Sequence, residues 1–381
     1  MSAQSFDILM IGAGIAGASV AADLARTHRV AIVEREEHPG YHSTGRSAAL
    51  FSEIYGNGVV RALSRASRDF FYNPPDGFAA HPLVKPRGSL YVARHEQLTH
   101  LEEFARNSDL AGAIRRLSQD EALRACPVLR PDYVAAALYE ADAADVDVNE
   151  LHHGYLRQFK AEGGTLFVNA DVQSLTHRAG IWTVKTRDGE FSAPVVVNAS
   201  GAWADTVADK AGTTPLKIKP RRRTALLAEL PAGIAADSWP MVIDIDESFY
   251  LKPDAGLLLI SPADETLVPP CDVQPEEFDV AVAVDRVEQA TTLSITRIRR
   301  RWAGLRSFAP DRSPVIGFDG SLPGFFWLAG QGGYGIQTAP AASRLAASLL
   351  RGETTDEFEP AIIAQLSPNR FTSEPAARSR A

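Results

Sequence analysis

The stretch Ile8-Leu9-Met10-Ile11-Gly12-Ala13-Gly14-Ile15-Ala16-Gly17 decides the fold of this 381-residue chain. Its first four residues form a continuous apolar run, which is typical of a parallel strand buried on both faces. Three glycines follow with the spacing GxGxxG, and a helix-favouring segment continues to Ala25. A second apolar run, Val30 to Val33, ends in Glu34. The pattern predicts strand, tight turn, helix and strand, the opening of an α/β unit of the Rossmann type.

Each glycine of this turn has its own role if the unit binds a dinucleotide. Gly12 permits the tight turn, Gly14 lets the backbone approach a pyrophosphate, and Gly17 lets helix and strand pack closely. The first helical turn, at Ile15 and Ala16, offers free N–H groups and a partial positive charge to the phosphates. The acid that ends the second strand can accept hydrogen bonds from ribose hydroxyls. The motif predicts a dinucleotide site but does not separate FAD from NAD.

The composition is that of an ordinary globular protein, with 45% hydrophobic residues, 23% charged residues and a net charge of −8. A chain of this length predicts two domains. The acidic balance argues against a protein that coats nucleic acid. The two basic runs, residues 217–223 and 297–301, are interpreted as solvated faces.

Cysteine and histidine usage gives no support to a metal site. Cys126 and Cys271 are far apart in sequence, which fits neither a disulfide framework nor a metal-ligand spacing and favours a reducing compartment. His152 and His153 are adjacent, so on a helix they point about 100° apart and make a poor clamp. The apolar stretch 8–25 lacks the basic flank of a signal peptide. We therefore expect a cytoplasmic protein without a metal or a transmembrane segment.

Short apolar runs recur along the chain between segments of mixed character. The predicted strands are 90–92, 165–168, 182–184, 195–197, 249–251, 257–260 and 325–330, and the predicted helices are 98–125 and 338–350, the latter capped by Thr338. Nucleotide-type patterns at both ends and near residue 198 predict a discontinuous dinucleotide-binding domain of residues 1–85, 146–216 and 312–366. The insertions 86–145 and 217–311 are predicted to form a substrate domain with a mixed or antiparallel β-sheet, and 367–381 a flexible tail.

Five further segments carry a resemblance to a known family. They are GYHSTGRSAA at 40–49, VNASGAW at 197–203, ESFYLKPD at 247–254, WAGLRSF at 302–308 and QGGYGIQT at 331–338. Together with the N-terminal turn, this ordered set resembles the D-amino-acid oxidase superfamily of FAD-dependent oxidoreductases, which includes glycine and sarcosine oxidases. Within it the chain is most similar to the bacterial FAD-dependent D-arginine dehydrogenases. The resemblance covers nearly the whole chain short of the tail and implies that the dinucleotide is FAD.

The resemblance also implies which residues contact FAD. Besides the residues of the N-terminal turn, they are Glu34, Arg35, Ser43, Thr44, Arg46, Ser47, Ala48, Ala49, Val172, Ser200, Gly201, Trp203, Gly332, Gly333, Tyr334, Gly335, Ile336 and Gln337. The helix after the C-terminal glycines would direct its N-terminus at the flavin N1–C2=O edge, where negative charge develops on reduction. Because no cysteine lies near this motif, we expect FAD to be bound noncovalently.

On the substrate side, the resemblance implies oxidation of an amino acid whose carboxylate is anchored beside the flavin. Arg306 is the candidate anchor, because its planar fork can bind a carboxylate bidentately. Tyr250 would add a phenolic hydrogen bond, and Tyr55 corresponds to a tyrosine on a mobile lid over the active site. Arg223 and Gly333 match further positions that line the site.

Two positions depart from the D-arginine dehydrogenase pattern. Ser89 stands where that family has an acid that pairs with the cationic substrate side chain, and Leu50 stands where it has an active-site histidine. A neutral serine and an apolar leucine cannot compensate a buried guanidinium. We therefore expect deaminating oxidation of neutral or apolar D-amino acids to imino acids, with arginine and lysine as poor substrates.

Several alternatives stay open. Oxidation of secondary amines, such as sarcosine or proline derivatives, or of 2-hydroxy acids requires the same carboxylate clamp. A nicotinamide-dependent dehydrogenase would share the N-terminal turn but would have no use for the motif at Gly332. A non-enzymatic flavin-binding protein would share the fold alone. The sequence does not decide whether oxygen or a quinone accepts the electrons.

Overall fold

The computed structural model describes residues 4–110, 112–187 and 189–371, so the predicted tail lies outside it from residue 372 onward. The strands of the described chain are β1 Gln4–Ser5, β2 Ile8–Ile11, β3 Val30–Val33, β4 Leu50–Phe51, β5 Val84–Pro86, β6 Ser89–Ala93, β7 Arg115–Ser118, β8 Ala136–Glu140, β9 Ala144–Val146, β10 Thr165–Phe167, β11 Val172–Arg178, β12 Ile181–Thr186, β13 Glu190–Ala193, β14 Val195–Asn198, β15 Lys219–Ala228, β16 Met241–Asp244, β17 Tyr250–Asp254, β18 Leu257–Ser261, β19 Thr266–Leu267, β20 Ile298–Phe308, β21 Val315–Phe318, β22 Phe325–Ala329 and β23 Gln331–Gly332. The helices are α1 Ile15–Leu24, α2 Gly58–Tyr72, α3 Leu98–Ala105, α4 Gln119–Ala125, α5 Val148–Ala161, α6 Ala204–Ala211, α7 Glu277–Ala290, α8 Gly335–Arg351 and α9 Pro360–Leu366.

A six-stranded sheet carries the N-terminal motif and is assembled from three separate stretches of chain. Its strand order is β10-β3-β2-β14-β22-β21, and every neighbouring pair is parallel except β21 with β22. The strands come from residues 8–33, 165–198 and 315–329. The predicted α/β fold, with a Rossmann-type sheet built from discontinuous segments, is confirmed.

The two faces of this sheet pack against different layers, because successive side chains of a strand point to opposite faces. Ile8 and Met10 of β2 join a core with α1, α5 and α8. Leu9 and Ile11 join a second core with α6 and the four-stranded sheet β1-β13-β12-β11. Burial of both faces explains why β2 and β3 are continuous apolar runs rather than alternating ones.

A ten-stranded sheet provides the second large surface of the molecule. Its order is β23-β20-β15-β18-β17-β16-β6-β8-β7, with β19 paired to β15, and its pairs are antiparallel except β16 with β6. One face packs on α4 and α7, and the other carries Tyr91, Ile243 and Tyr250. This mixed sheet confirms the sheet type predicted for the inserted segments.

Two predicted helices differ from those observed. The segment 98–125 contains α3 and α4, but strand β7 separates them and pairs with β8. The C-terminal helix begins at Gly335 rather than near Thr338, and its N-cap is Tyr334. The Thr338 hydroxyl donates to the carbonyl of Tyr334 one turn back, so this threonine lies inside the helix and does not cap it.

The basic run 217–223 was predicted to be a solvated face, and this prediction is wrong. Residues 219–228 form β15 in the interior of the ten-stranded sheet, so consecutive side chains point to opposite faces. Arg222 and Arg223 are both buried. Arg222 forms ion pairs with Asp264, Glu276 and Asp279 on one face, which leaves Arg223 to the other.

Candidate active site

The glycine turn between β2 and α1 leaves no room for side chains. Gly12 has a φ of +103°, and a Cβ built there would lie 2.6 Å from the carbonyl oxygen of Ala199. A Cβ at Gly17 would lie 2.0 Å from the carbonyl oxygen of Gly12. The helix starts at N-cap Gly14 without a side-chain cap. The backbone of the turn is therefore open to a ligand at the N-terminus of α1.

Glu34, directly after β3, is tied to the turn that it was predicted to complement. One of its carboxylate oxygens accepts from the Ala13 amide at 2.7 Å, and the other accepts from the Glu36 amide at 2.9 Å. These bonds fix the carboxylate at the end of the strand, where it lines the cavity above the glycines.

The segment 43–47 is held between the glycine turn and the ten-stranded sheet. The Thr44 hydroxyl accepts from the Ile15 amide at 3.0 Å, and the Ser43 hydroxyl donates to the Leu305 carbonyl at 2.6 Å. The Arg46 guanidinium donates to the Ala303 carbonyl, while the indole of Trp302 donates to the Arg46 carbonyl. The segment thus touches both large sheets.

A cavity of about 330 Å³ runs along the glycine turn and past this segment. Nineteen of the residues predicted to contact the dinucleotide line it: Gly12, Gly14, Ile15, Ala16, Glu34, Arg35, Ser43, Thr44, Arg46, Ser47, Ala48, Val172, Ser200, Gly201, Trp203, Gly332, Gly333, Gly335 and Ile336. Ala49 and Gln337 line the adjoining smaller cavity instead. Gly17 and Tyr334 line neither and contribute through packing and through the N-cap of α8.

Two histidines support this cavity, although sequence analysis assigned neither of them to it. His42 lies against Trp203, with ring centroids 4.7 Å apart, and its Nε2 is 2.9 Å from Glu36. The Nε2–H of buried His152 donates to the Ala13 carbonyl at 2.8 Å. Burial lowers the pKa of His152, so the neutral ring suits this purely structural bond. His152 is 139 residues from its partner, and local spacing offers no hint of it.

A second helix N-terminus points into the same region. The first turn of α8 has no side-chain cap, and Gly335 and Ile336 line the large cavity. Gly333, just before it, lies against the clamp residue: a Cβ there would lie 2.9 Å from the Arg306 guanidinium carbon, so a side chain at this position would displace that guanidinium. Together, α1 and α8 present two uncapped positive helix ends to one cavity.

A smaller cavity, of about 80 Å³, adjoins the large one and shares part of its lining. The residues common to both are Ser47, Ala48, Arg223, Tyr250, Arg306, Gly333 and Ile336. Tyr55 lines the smaller cavity, and its hydroxyl accepts from the Arg306 guanidinium at 2.9 Å. The structure therefore brings together the three predicted catalytic side chains, Tyr55, Tyr250 and Arg306.

The positive charge of this cavity comes from two neighbouring strands. In the register of β15 and β20, Arg306 lies opposite Arg221, so Arg223 is its diagonal neighbour on the same face. The Arg223 guanidinium donates to the backbone carbonyl of Asp264 and, at 3.3 Å, to the Glu265 carboxylate. Arg312 donates to the same carboxylate. Burial, and after it the charge of Arg306, lower the pKa of Arg223.

Arg306 differs from Arg223 in its partners. Its hydrogen bond goes to a neutral phenol, and within the described residues it forms no ion pair with Asp or Glu. Burial acts to lower its pKa, but the surrounding Tyr55, Tyr250 and Glu247 raise it above the ordinary value. A half-buried guanidinium that lines a cavity and has no carboxylate partner among the described residues is suited to an anionic ligand.

Ser89 was predicted to lie on the substrate wall, and the structure places it beside a buried carboxylate. This serine is completely buried in β6 and is not among the residues that line the cavity. Its hydroxyl donates to Glu140 at 2.9 Å. Ser89 lies on the same sheet face as Tyr91 and Met241, which do line the cavity, and a buried carboxylate, Glu140, lies next to it. Leu50, by contrast, does line the cavity.

Sequence analysis missed most of the far wall. Tyr91, Met241 and Ile243 line the smaller cavity from β6 and β16, and Glu247 lies at its exposed rim. Alternation along those strands could have identified one buried face, but not which sheet face meets the dinucleotide cavity. Within the described ranges, no group of three or more metal-ligating side chains occurs. No described helix has the length and apolar character needed to cross a membrane.

Comparison with known proteins decides the family. The model of the FAD dependent oxidoreductase family, DAO, matches residues 7–349. The chain belongs to this family. Among curated relatives of this FAD-dependent oxidoreductase, the glycine oxidase of Geobacillus kaustophilus is 24% identical over 383 residues, covering 93% of this chain and 96% of the relative.

Solved structures of similar proteins have the same fold as this oxidoreductase. L-proline dehydrogenase from P. horikoshii superposes with a TM-score of 0.84 at 24% identity, covering 97% of this chain and 99% of that one. Iminodiacetate oxidase from Chelativorans sp. BNC1 gives a TM-score of 0.77 at 25% identity, covering 95% and 98%. The resemblance to the D-amino-acid oxidase superfamily is confirmed, whereas a specific relation to D-arginine dehydrogenase is not shown.

FAD is the cofactor of this enzyme, and the residues present fit it. The cradle at Gly12 and Gly17 excludes a Cβ and leaves backbone against which a pyrophosphate can lie. Glu34 is fixed at the strand end, where a ribose would be bound. Trp203, with the Arg35 guanidinium 4.7 Å from its ring, forms an aromatic and cationic wall of the large cavity. The uncapped start of α8 adds a second positive helix end.

Proposed function

We propose that this oxidoreductase carries out the FAD-dependent, deaminating oxidation of neutral or apolar D-amino acids to imino acids. The single observation that carries the proposal is the half-buried Arg306 guanidinium, which has a phenol rather than a carboxylate as its partner. It lines both the dinucleotide cavity and the adjoining smaller cavity. A substrate carboxylate bound there would place the rest of the molecule next to the cofactor.

The chain's own residues bind and orient the substrate in this proposal. Arg306 forms a bidentate pair with the carboxylate, and the hydroxyls of Tyr55 and Tyr250 donate to it. Arg223 adds positive charge from the same sheet face. Bound FAD supplies the acceptor for the hydride that leaves the substrate Cα. Holding the Cα–H in one orientation contributes to the rate, because it removes the entropic cost of alignment during the reaction.

The preference for neutral side chains is supported by the apolar wall of the smaller cavity. Leu50, Tyr91, Met241 and Ile243 supply most of that wall. A cationic side chain would enter a cavity that already holds the Arg223 and Arg306 charges. The Glu140 carboxylate does not line the cavity and accepts hydrogen bonds from Ser52, Glu53 and Ser89, so it offers no direct ion pair to that side chain. The rim acid Glu247 is exposed, where water screens its charge.

An anaerobic screen tests the proposed substrate class. We expect D-leucine or D-methionine to bleach the flavin colour, with kcat/KM exceeding that for D-arginine by more than roughly tenfold, because burying an unpaired charge costs several kcal/mol. L-amino acids, sarcosine, proline and 2-hydroxy acids are the comparison set. A preference for D-arginine would refute the specificity. Bleaching by none of the set would refute the proposed oxidation.

Oxidation of secondary amines, or of 2-hydroxy acids, is the second candidate. The similarity to L-proline dehydrogenase, iminodiacetate oxidase and glycine oxidase favours substrates that share the carboxylate but differ at the nitrogen. In the same screen, bleaching by sarcosine or proline without bleaching by primary D-amino acids would select this candidate. The clamp at Arg306 would serve both.

FAD is proposed to be noncovalent. Cys126 is buried in the core beneath the ten-stranded sheet, and Cys271 lines neither cavity. Acid precipitation of the purified protein should therefore leave the yellow colour in the supernatant. Colour retained in the pellet would contradict the prediction, and mass spectrometry of the pellet would locate the attached residue.

Other parts of the assignment remain proposals. The chain is proposed to divide into the FAD-binding and substrate domains at the boundaries given above. The two free cysteines support a cytoplasmic location. Oxygen or a quinone of the respiratory chain is proposed as the electron acceptor, and reoxidation of the reduced enzyme by air against a soluble quinone would distinguish the two.

A further inference from the structure

We propose that the buried Glu140 is a positioning residue, which acts by anchoring the segment that carries Tyr55. This segment, residues 52–57, is called the Tyr55 segment below. The inference rests on the proposed function, in which Tyr55 and Arg306 hold the substrate carboxylate. Glu140 ends β8 and is 1% exposed.

Three donors converge on the Glu140 carboxylate. Ser52 Oγ donates at 2.7 Å, the Glu53 amide at 2.8 Å and Ser89 Oγ at 2.9 Å. Two of the three belong to the Tyr55 segment, and one of these is a backbone amide. Burial raises the pKa of Glu140, while these hydrogen bonds act in the opposite direction. The carboxylate therefore fixes both the side chain of one residue and the backbone of the next.

Gln337 holds the same end of the segment from the opposite side. Its side-chain amide donates to the Ser52 carbonyl at 3.1 Å and accepts from the Ser52 amide at 3.3 Å. It also donates to Ser64 Oγ at 2.7 Å, which links it to α2. Gln337 lies in the first turn of α8, the helix whose start faces the dinucleotide cavity. Ser52 is thus bonded through its hydroxyl, its N–H and its C=O.

The far end of the segment is anchored as well. The Arg61 guanidinium donates to the Gly56 carbonyl at 2.6 Å, and Asn57 caps α2 by accepting from the Val60 amide at 3.1 Å. Between the anchors, Ile54 is buried and Tyr55 reaches Arg306 at 2.9 Å. The position of the Tyr55 hydroxyl therefore depends on how firmly both ends are held. If the Tyr55 segment moves as a lid, one of these anchors must break. The lid motion itself stays a prediction.

The substitution Glu140→Gln removes the negative charge but keeps groups that can form the same hydrogen bonds. Its carbonyl oxygen can accept from the Glu53 amide, while its NH₂ can donate to the oxygens of Ser52 and Ser89, which rotate to accept. Glu140→Gln should therefore keep KM within roughly threefold of the wild type. Glu140→Ala removes all three bonds and should raise KM roughly tenfold, with a smaller change in kcat, because the carboxylate clamp loses its preorganisation.

Two serines provide a matched pair. Ser52→Ala and Ser89→Ala each remove one hydroxyl that donates to the same Glu140 oxygen, and both serines are buried. Only Ser52 belongs to the Tyr55 segment. We expect Ser52→Ala to raise KM and Ser89→Ala to leave it near the wild-type value. Equal effects would overturn the proposal, because Glu140 would then not act through the segment.

A double-mutant cycle with Tyr55→Phe distinguishes positioning from general stability. If Glu140 acts through the Tyr55 hydroxyl, Glu140→Ala should raise KM less than threefold in the Tyr55→Phe background. If Glu140→Ala raises KM by the same factor in the Tyr55→Phe background as in the wild type, the inference is overturned. If Tyr55→Phe alone leaves KM unchanged, Tyr55 does not take part in the carboxylate clamp and the inference is overturned, whereas the clamp itself is tested separately by Arg306→Ala.

Hydrogen exchange gives a readout that does not depend on activity. In the FAD-loaded protein, a peptide covering residues 50–57 should exchange faster in Glu140→Ala than in the wild type, and Glu140→Gln should restore slow exchange. Asp319→Asn is the control, because Asp319 also accepts from a hydroxyl and an indole, at Thr213 and Trp327, but lies away from the segment. Unchanged exchange in a folded Glu140→Ala protein would overturn the proposal. If Glu140→Ala does not fold, the comparison of KM between Ser52→Ala and Ser89→Ala tests the proposal instead.

Discussion

Replacement of Arg306 by alanine is expected to cripple substrate oxidation while FAD stays bound. The change removes a buried, charge-assisted contact, which costs on the order of 2–5 kcal/mol, or roughly 30- to several-thousandfold in kcat/KM. FAD retention is expected because the glycine turn and Glu34 belong to the other sheet. Steady-state kinetics and the flavin absorbance of the purified variant measure the two effects separately.

Arg306→Lys is the informative companion. An ammonium keeps the charge but cannot reproduce the planar fork, so it should restore only part of the lost kcat/KM. Arg301→Ala is a matched control on the same strand, because that side chain is exposed and pairs with Glu277 at the surface. Near-normal kcat/KM in Arg306→Ala would remove the carboxylate clamp from the proposed function.

Replacement of Gly17 by alanine is expected to abolish FAD retention. The added Cβ would lie 2.0 Å from the Gly12 carbonyl oxygen, so α1 must move away from the turn that it packs against. A shift of that size separates the helix N-terminus from the pyrophosphate, and we expect at least roughly a hundredfold loss of FAD affinity, corresponding to about 3 kcal/mol. The measurement is FAD content after purification, followed by titration of the apoprotein.

Gly189→Ala is the control for this substitution. Gly189 does not have a positive φ, and its nearest neighbour would be the Phe191 ring at 3.5 Å, an ordinary contact. It lies in the β12–β13 connection, away from both cavities. Normal FAD content in Gly17→Ala would show that the close helix packing is not needed for binding.

The sequence predicted the local parts of the site better than the distant ones. The turn from Gly12 to Gly17 could be recognised because its function depends on glycines at a fixed local spacing. Strands β2 and β3 were predicted at their observed bounds, because burial on both faces gives an unambiguous apolar run. In each case the pattern that identifies the element is local in the sequence, even where the contacts that bury it are distant.

The errors have a common physical cause. The basic run at Arg222 and Arg223 was misassigned because its counter-charges, among them Asp264 and Glu265, are about 40 residues away. Ser89 shares its sheet face with Tyr91 and Met241, which line the smaller cavity, but its hydroxyl is bonded to Glu140, 51 residues away, and the sequence gives no sign of that partner. Pairing across a sheet decides which face a side chain occupies, and a single sequence does not encode that register visibly.

The bonds of the segment 43–47 to Leu305, Ala303 and Trp302 have a consequence for ligand binding as a whole. These three residues lie within four positions before Arg306 on β20, so one strand both contacts the cofactor-binding segment and carries the carboxylate clamp. Any displacement of that strand alters both sites at once, which makes their affinities thermodynamically linked. Linkage is reciprocal: the factor by which a substrate carboxylate tightens FAD binding equals the factor by which FAD tightens binding of that carboxylate.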